Sequence, residues 1–116
     1  MFGGFSHLKV YLVPGFTDMR KAINGLSIEV DNLDLDPFSG HLFVFCNRRQ
    51  TILKILYWEV NGFCLWQKRL EKERFVWPRS IDHVREIDHR SLTWLLDGLP
   101  LVQPEAHSPL KYRITG

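Results

Sequence analysis

The sequence contains little cysteine and no long apolar run, and both shortages exclude classes of protein. Only two cysteines, Cys46 and Cys64, occur among 116 residues, and they lack the C-x-x-C spacing or number of a disulfide framework. Each lies in an apolar run, where a reduced cysteine behaves as a small hydrophobic residue. We therefore predict reduced, structural cysteines in a cytoplasmic protein. No apolar run approaches the roughly 20 residues of a membrane span, and the N-terminus lacks a signal-peptide layout.

The sequence also lacks the common catalytic motifs. The HEXXH, GxSxG and phosphate-binding-loop patterns are absent, and the five histidines are scattered without metal-ligand spacing. Two-metal nucleases and transposases gather several carboxylates at one site, whereas the acidic residues here fall in turns, helix caps and charged loops. We predict no catalytic residues, no bound metal and no cofactor.

Apolar residues, by contrast, are plentiful. Hydrophobic residues make up 45% and aromatic residues 13% of the chain. A chain of this length can bury roughly two-thirds of its unfolded surface in one core. The composition therefore predicts a single folded domain rather than a disordered chain.

Hydrophobic periodicity predicts an α+β fold. The predicted elements are strands over 8–13, 42–46, 52–58, 63–70 and, at an edge, 74–78, with helices over 18–32 and 89–97. Thr17 and Asp88 are suitable N-caps, and Gly98 can end the second helix. We expect a helix packed on a mostly antiparallel β-meander, with a C-terminal helix, forming one domain over residues 1–98. Residues 99–116, which include several prolines, are expected to form an extended, flexible tail.

The dipeptide Asn61-Gly62 predicts the turn between the second and third strands of this meander. Asn-Gly is a strong signal for a type I′ turn, which requires positive φ at both central residues. We therefore expect Gly62→Val to cost a few kcal/mol.

A first candidate site lies at Arg20 and Lys21, at the start of the predicted helix. Cations there oppose the helix dipole, and a residue that is locally unfavourable sometimes marks function. Together with free backbone N–H groups they could bind a phosphate. The alternative is that Arg20 pairs with a carboxylate from the sheet while Lys21 is solvated.

A second candidate site is a concentration of positive charge in the middle of a chain whose net charge is only +2. Between residues 48 and 79 the cations clearly outnumber the acids. In a meander, the first hairpin tip and the far end of the third strand lie at the same end of the sheet. The cations expected to form one patch there, suited to a phosphate backbone, are Arg48, Arg49, Lys68, Arg69 and Lys72. The alternative is a solvated surface whose charge is reduced by Glu71 and Glu73.

Several segments, in order and spacing, resemble a known family. They are TDMRK (17–21), DPFSGHLFVF (36–45), NRR (47–49), LKILYW (53–58), GFCLWQKRLE (62–71) and FVWP (75–78). The chain resembles TnpB, the small second-frame accessory protein of the IS-sixty-six family of insertion sequences, over residues 8 to about 98. This protein is unrelated to the RNA-guided nuclease of the same name.

The resemblance implies a bacterial mobile element and a role beside a separate transposase that carries the catalytic acids. It supplies no catalytic residues. Two hypotheses remain open at this point. The protein contacts DNA through the basic patch, or it is an interaction module that binds the transposase or another protein of the element without touching DNA. The second hypothesis predicts an exposed apolar patch around Trp58, Trp66 or Trp77.

Overall fold

The computed structural model describes residues 7–78 and 82–101, which form a five-stranded sheet with one helix on each face. The elements are β1 (Val10–Leu12), α1 (Ile23–Asn32), β2 (Leu42–Cys46), β3 (Ile52–Glu59), β4 (Gly62–Arg69), β5 (Arg85–Ile87) and α2 (His89–Leu96). The strand order across the sheet is β4-β3-β2-β1-β5. Among these described strands, β1 and β2 run parallel, and the other neighbouring pairs are antiparallel. The predicted α+β class is confirmed.

The parallel pair explains the position of α1. Two parallel neighbouring strands need a crossover connection, usually a helix, and α1 supplies it between β1 and β2. The central strand β2 is buried along its whole length, as its continuous apolar sequence LFVFC predicts for a strand covered on both faces.

Alternation along the strands divides the core into two layers. Leu53 and Ile55 point to one face, which we call the α2 face, where they pack with Leu92 and Leu95. Leu56 points to the opposite face, the α1 face, where it packs with Leu26 and Val30. Successive side chains of a strand point to opposite faces, so one apolar run serves both layers.

The first helix begins later than predicted. Residues 15–22, which we call the strap, run irregularly across the end of the sheet, and α1 starts only at Ile23, with Ala22 as an N-cap that makes no side-chain bond. The Thr17 N–H donates to the Cys46 carbonyl at 2.8 Å, and the buried Lys54 ammonium donates to the carbonyls of Met19 and Lys21 at 2.9 and 3.1 Å. These bonds replace the helical bonds that the apolar spacing predicted.

The predicted edge strand over 74–78 is wrong. Phe75 and Trp77 are buried in the α2-face core, but their polar groups bond to loops. The Phe75 N–H donates to the Gln50 carbonyl at 2.7 Å, and the Trp77 indole donates to the Gly15 carbonyl at 3.0 Å. The strand that completes the sheet is β5, which pairs with β1. The segment Arg-Glu-Ile is too short and too polar to be recognised as a strand from the sequence.

The hairpin between β3 and β4 turns one residue earlier than predicted. Glu59 pairs with Gly62, so the central residues are Val60 and Asn61. Val60 has φ +55°, and the Asn61 N–H donates to the Glu59 carbonyl at 2.6 Å, which is the bond of a γ-turn. Gly62 does not have positive φ, and a Cβ placed there would meet nothing within 4 Å. The expected large cost of Gly62→Val therefore has no basis in the backbone.

The second helix forms as predicted. Asp88 is its N-cap, and the carboxylate accepts a bond from the Ser91 N–H at 2.7 Å. Gly98 follows the helix with φ +79°. Of the predicted tail, residues 99–101 are described, and Leu101 is buried against the α2-face core at 8% exposure. The remainder, 102–116, lies outside the described residues.

Both cysteines are free thiols. Cys46 is fully buried at the end of β2, and burial raises its pKa to about 12. Cys64 is half-buried on β4, with its Sγ 3.7 Å from Glu59 Oε1. No helix within 7–78 and 82–101 has the length and apolar character needed to cross a membrane.

Candidate functional site

Three segments meet at one end of the sheet, which we call the basic end. They are the strap, the β2–β3 loop and the chain that follows β4. The Leu70 N–H donates to the Thr51 carbonyl at 2.8 Å, which joins the segment after β4 to the β2–β3 loop. The bond between Thr17 and Cys46 joins the strap to the same loop region. The topology therefore brings Arg20, Lys21, Arg48, Arg49, Lys68, Arg69 and Lys72 to this end.

The β2–β3 loop that carries Arg48 and Arg49 is held firmly. The Asn47 side-chain oxygen accepts bonds from the N–H groups of Thr51 and Ile52 at 2.9 and 3.0 Å. Gln50, with φ +61°, is buried and its amide donates to the Phe75 carbonyl at 3.0 Å. Both arginines between these anchors are exposed. The loop thus presents two cations from a fixed backbone.

Arg48 has an additional contact within the site. Its guanidinium carbon lies 5.5 Å from the centroid of the Phe16 ring, within the range of a cation–π interaction. Such a contact orients the side chain without neutralising its charge. Arg48 can therefore remain available to an anion.

The cations at the end of β4 differ in how fully they are engaged. The Lys68 ammonium donates to the Leu96 carbonyl at 2.8 Å, at the C-terminus of α2, where a cation is favourable. Arg69 forms an exposed ion pair with Glu71 at 3.0 Å, and such pairs contribute little. Lys72 is exposed. Arg69 and Lys72 can reach solvent, whereas Lys68 fastens the second helix to the sheet.

Arg20 and Lys21 lie in the strap, ahead of the helix. Arg20 pairs with its near neighbour Asp18, from Nη2 to Oδ2 at 2.6 Å, rather than with a carboxylate from the sheet. The hydrogen bonds from Arg20 lower the pKa of Asp18 to about 2. Lys21 pairs with Glu29 of α1. Each cation thus has an acidic partner, which lowers the positive charge of the strap.

The sequence analysis did not identify one further polar contact in this region, which is made by Lys54. Lys54 is buried on the α1 face at 8% exposure, and its bonds to the strap carbonyls fix the path of residues 19–21. In the sequence, a single lysine inside the apolar run ILKILYW is the available signal, because a buried lysine needs polar partners.

The three tryptophans proposed as interface residues have different environments. Trp77 is 2% exposed and Trp66 packs against the α2-face core. Trp58 belongs to a cluster at the end of the sheet opposite the basic end. Its ring centroid lies 5.2 Å from that of Phe38 and 5.1 Å from that of Phe63. Phe38 is 56% exposed. We call Phe38, Trp58 and Phe63 the aromatic cluster.

Within the described ranges, no group of three or more His, Cys, Asp or Glu side chains could hold a metal ion. The fold and the site define a small α+β protein with two apolar layers and a cationic end. A model of the family described as "IS66 Orf2 like protein" matches residues 8–106. The chain belongs to this family, and membership implies an accessory role in insertion-sequence transposition.

Two curated relatives come from Sinorhizobium fredii (strain NBRC 101917 / NGR234). The chain is 36% identical over 100 residues to "Uncharacterized protein y4hO", an alignment that covers 85% of this chain and 87% of the relative. It is 31% identical over 100 residues to "Uncharacterized protein y4jC", covering 85% and 86%. No solved structure gives a significant match.

Proposed function

We propose that the protein is a non-catalytic accessory factor of insertion-sequence transposition that contacts the DNA backbone through its basic end. It acts in the cytoplasm beside the element's separate transposase. The observation that carries this proposal is the joint position of Arg48, Arg49, Arg69 and Lys72, which are all exposed at one end of the sheet. These cations come from two segments that are hydrogen-bonded to each other, so their spacing is held by the fold.

The engaged cations narrow the original set. Lys68 donates to a helix terminus, Lys21 pairs with Glu29, and Arg20 makes three side-chain bonds to Asp18. Arg69 also has an acidic partner, but it makes a single bond to exposed Glu71, and exposed pairs of this kind are weak enough for a phosphate to replace the carboxylate. Phosphate contacts position a protein without reading bases, so binding through the remaining four is sequence-independent. If all four reach phosphates, the log–log slope of affinity against salt concentration is about −3.6, from roughly −0.9 per neutralised phosphate.

The test is duplex binding at several salt concentrations, with element ends and random sequence as probes. We expect Arg48→Ala combined with Arg49→Ala to reduce the magnitude of the slope by about two and to weaken both probes equally. The matched control is Lys9→Ala combined with Arg90→Ala. It removes the same charge from exposed positions at the opposite end of the sheet, and its slope should stay near that of the wild type. Absence of duplex binding by the wild type at low salt would overturn the proposal.

The aromatic cluster favours a second candidate function, binding to a protein of the same element. Its exposed member Phe38 packs against Trp58 and Phe63, Val60 at the tip of the same hairpin is 90% exposed, and aromatic side chains are enriched at interfaces. Phe38→Ala should weaken binding to the element's transposase while the salt slope with DNA stays unchanged. Titration with purified transposase, followed by tryptophan fluorescence, measures this. An unchanged affinity in the variant would count against the cluster as an interface.

A further inference from the structure

Among residues 7–78 and 82–101, no strand pairs with the outer edge of β4. β4 is at the end of the sheet, and its eight residues pair with β3 in an uninterrupted register, without a bulge. The bond from the Leu70 N–H to the Thr51 carbonyl fixes the phase of the ladder, because bonded and non-bonded pairs alternate along antiparallel strands. It follows that the backbone groups of Phe63, Leu65, Gln67 and Arg69 point outward, away from β3.

This edge lacks the usual protection. Natural sheets guard their edges with short strands, charged residues, proline or bulges. The opposite edge is protected in this way, because β5 has three residues and carries Arg85 and Glu86. The first part of β4, Gly62 to Trp66, has neither charge nor proline. Phe63 and Leu65 are half-buried on the α1 face of this stretch.

The charges of the molecule favour a particular occupant. Exposed acids lie at the hairpin-tip end of the sheet, where Lys9 and Arg90 offset them in part; they are Asp31, Asp34, Asp36, Glu59 and Asp88. The basic end lies at the other end of the strands. A second copy with its β4 antiparallel to the first places the basic end of each molecule beside the acidic end of the other. A parallel copy would place the two basic ends side by side.

We propose that two copies of the chain form a dimer by pairing β4 with β4 in antiparallel orientation, about a two-fold axis at Cys64. In this register Cys64 faces its own equivalent, Phe63 faces Leu65, and Gly62 leaves room for the indole of Trp66. Apolar residues thus face apolar residues along the unguarded stretch, and the outward groups of Phe63 and Leu65 bond to each other. The two Arg69 residues lie about 34 Å apart, at roughly 3.4 Å per residue.

The first test is the mass of the protein in solution, measured by sedimentation velocity without DNA. We expect a dimer for the wild type. Gln67→Pro removes an outward N–H that β3 does not use, so it should give a monomer with unchanged circular dichroism and no large loss of melting temperature. The matched control Gln67→Thr keeps the N–H and should stay dimeric. A wild-type monomer at high micromolar concentration, or a dimeric Gln67→Pro variant, would overturn the proposal.

The second test examines the register. Cα atoms of a directly opposed non-bonded pair are about 4.5 Å apart, within the range that a disulfide bridges. Mild oxidation should therefore link the wild-type dimer through Cys64. Cys64→Ala should abolish the covalent dimer, whereas Cys46→Ala, which changes a buried residue, should not. A dimer that cannot be linked through Cys64 would refute the axis at this residue. Both tests are made without DNA, so they are independent of the proposed function.

Discussion

Val60 adopts a backbone conformation that β-branched residues resist. Its φ of +55° lies in the left-handed region, where a Cβ comes too close to the carbonyl oxygen that follows. The side chain is 90% exposed and gains little by packing. The favourable pairing of β3 with β4 therefore offsets the backbone strain of Val60 at the hairpin tip.

Val60→Gly should raise the free energy of unfolding by about 0.5–1 kcal/mol. The expected gain is the relief of about 1–2 kcal/mol of left-handed strain, reduced by the larger entropy of glycine in the unfolded chain. Urea unfolding measures it. Gly62→Ala is the control, since its site has open space and no positive φ, and it should change stability by less than about 0.5 kcal/mol. Destabilisation by Val60→Gly would contradict this account.

The sequence alone could not show which cations of the basic end are bound to other groups of the protein. Counting cations selected residues that the fold brings to one end of the sheet, but charge alone does not show which cations have partners. Lys68 and Arg69 are neighbours in the chain, and strand alternation sends the first towards α2 and the second to the opposite face. Lys68 has a hydrogen-bond partner because the end of α2 lies beside it, and the position of α2 is set by the tertiary fold.

Lys68→Met should therefore affect stability rather than DNA affinity. The variant keeps most of the apolar stem and removes the bond to the Leu96 carbonyl. Loss of one charged hydrogen bond should cost about 1.5–3 kcal/mol. We expect a lower melting temperature with a salt slope close to that of the wild type. A slope reduced by about one, with an unchanged melting temperature, would instead indicate that Lys68 contacts phosphate.

At the scale of elements, the segments with strong periodic patterns were predictable. β2 matches its predicted bounds, β3 ends one residue later, β4 begins and ends one residue earlier, and α2 ends one residue early. The strap and β5 were missed because each depends on distant partners. The path of the strap is fixed by its hydrogen bonds to Lys54 and Cys46. β5 forms by pairing with the free edge of β1.

The N-cap of α2 was predictable because it is local. The pKa of Asp88 is lowered by the hydrogen bonds from Ser91, so the ionised carboxylate is favoured in the folded state. A lowered folded-state pKa gives stability that is present above the unfolded value, roughly 3.9, and is lost as the pH falls through the folded value. The cap should therefore contribute fully at neutral pH and fade in acid.

Asp88→Ala should lower the free energy of unfolding by about 1 kcal/mol at pH 7. The difference from the wild type should shrink as the pH falls below about 4, because the unfolded chain then binds a proton at this carboxyl before the folded protein does, and the loss is complete only below the folded pKa. Thermal unfolding from pH 3 to 7 measures both effects. Asp88→Asn keeps a side-chain oxygen and should retain most of the cap without this pH dependence. A difference between wild type and Asp88→Ala that is constant over this range would contradict the role of the charge.

At the scale of the whole molecule, the extent of the domain needs a direct test. The sequence predicted a domain ending at residue 98, and that boundary stays a prediction. Leu101 lies beyond it and packs with the α2-face core. We propose that the folded unit continues at least to Leu101.

Leu101→Ala should cost about 2–3 kcal/mol, at the lower end of the range for truncating a buried leucine side chain. Leu99→Ala is the control, since Leu99 is 42% exposed and its truncation should change stability by less than about 0.5 kcal/mol. Chemical denaturation of the full chain compares the two. Equal, small effects of both substitutions would favour a boundary before Leu101.

The two apolar layers differ in when their parts are synthesised. The α1 face is covered by a helix that lies between β1 and β2 in the chain, so this layer can close once β4 has left the ribosome. The α2 face is covered only after Phe75, Trp77, α2 and Leu101 have been synthesised. β5 is also made late, and it pairs with β1, which is synthesised first. Until then the nascent sheet carries a bare apolar face and an unpaired β1 edge. Synthesis of the chain therefore includes an interval of greater exposure to aggregation and to chaperones, and this interval lasts at least until Leu101 has emerged from the ribosome.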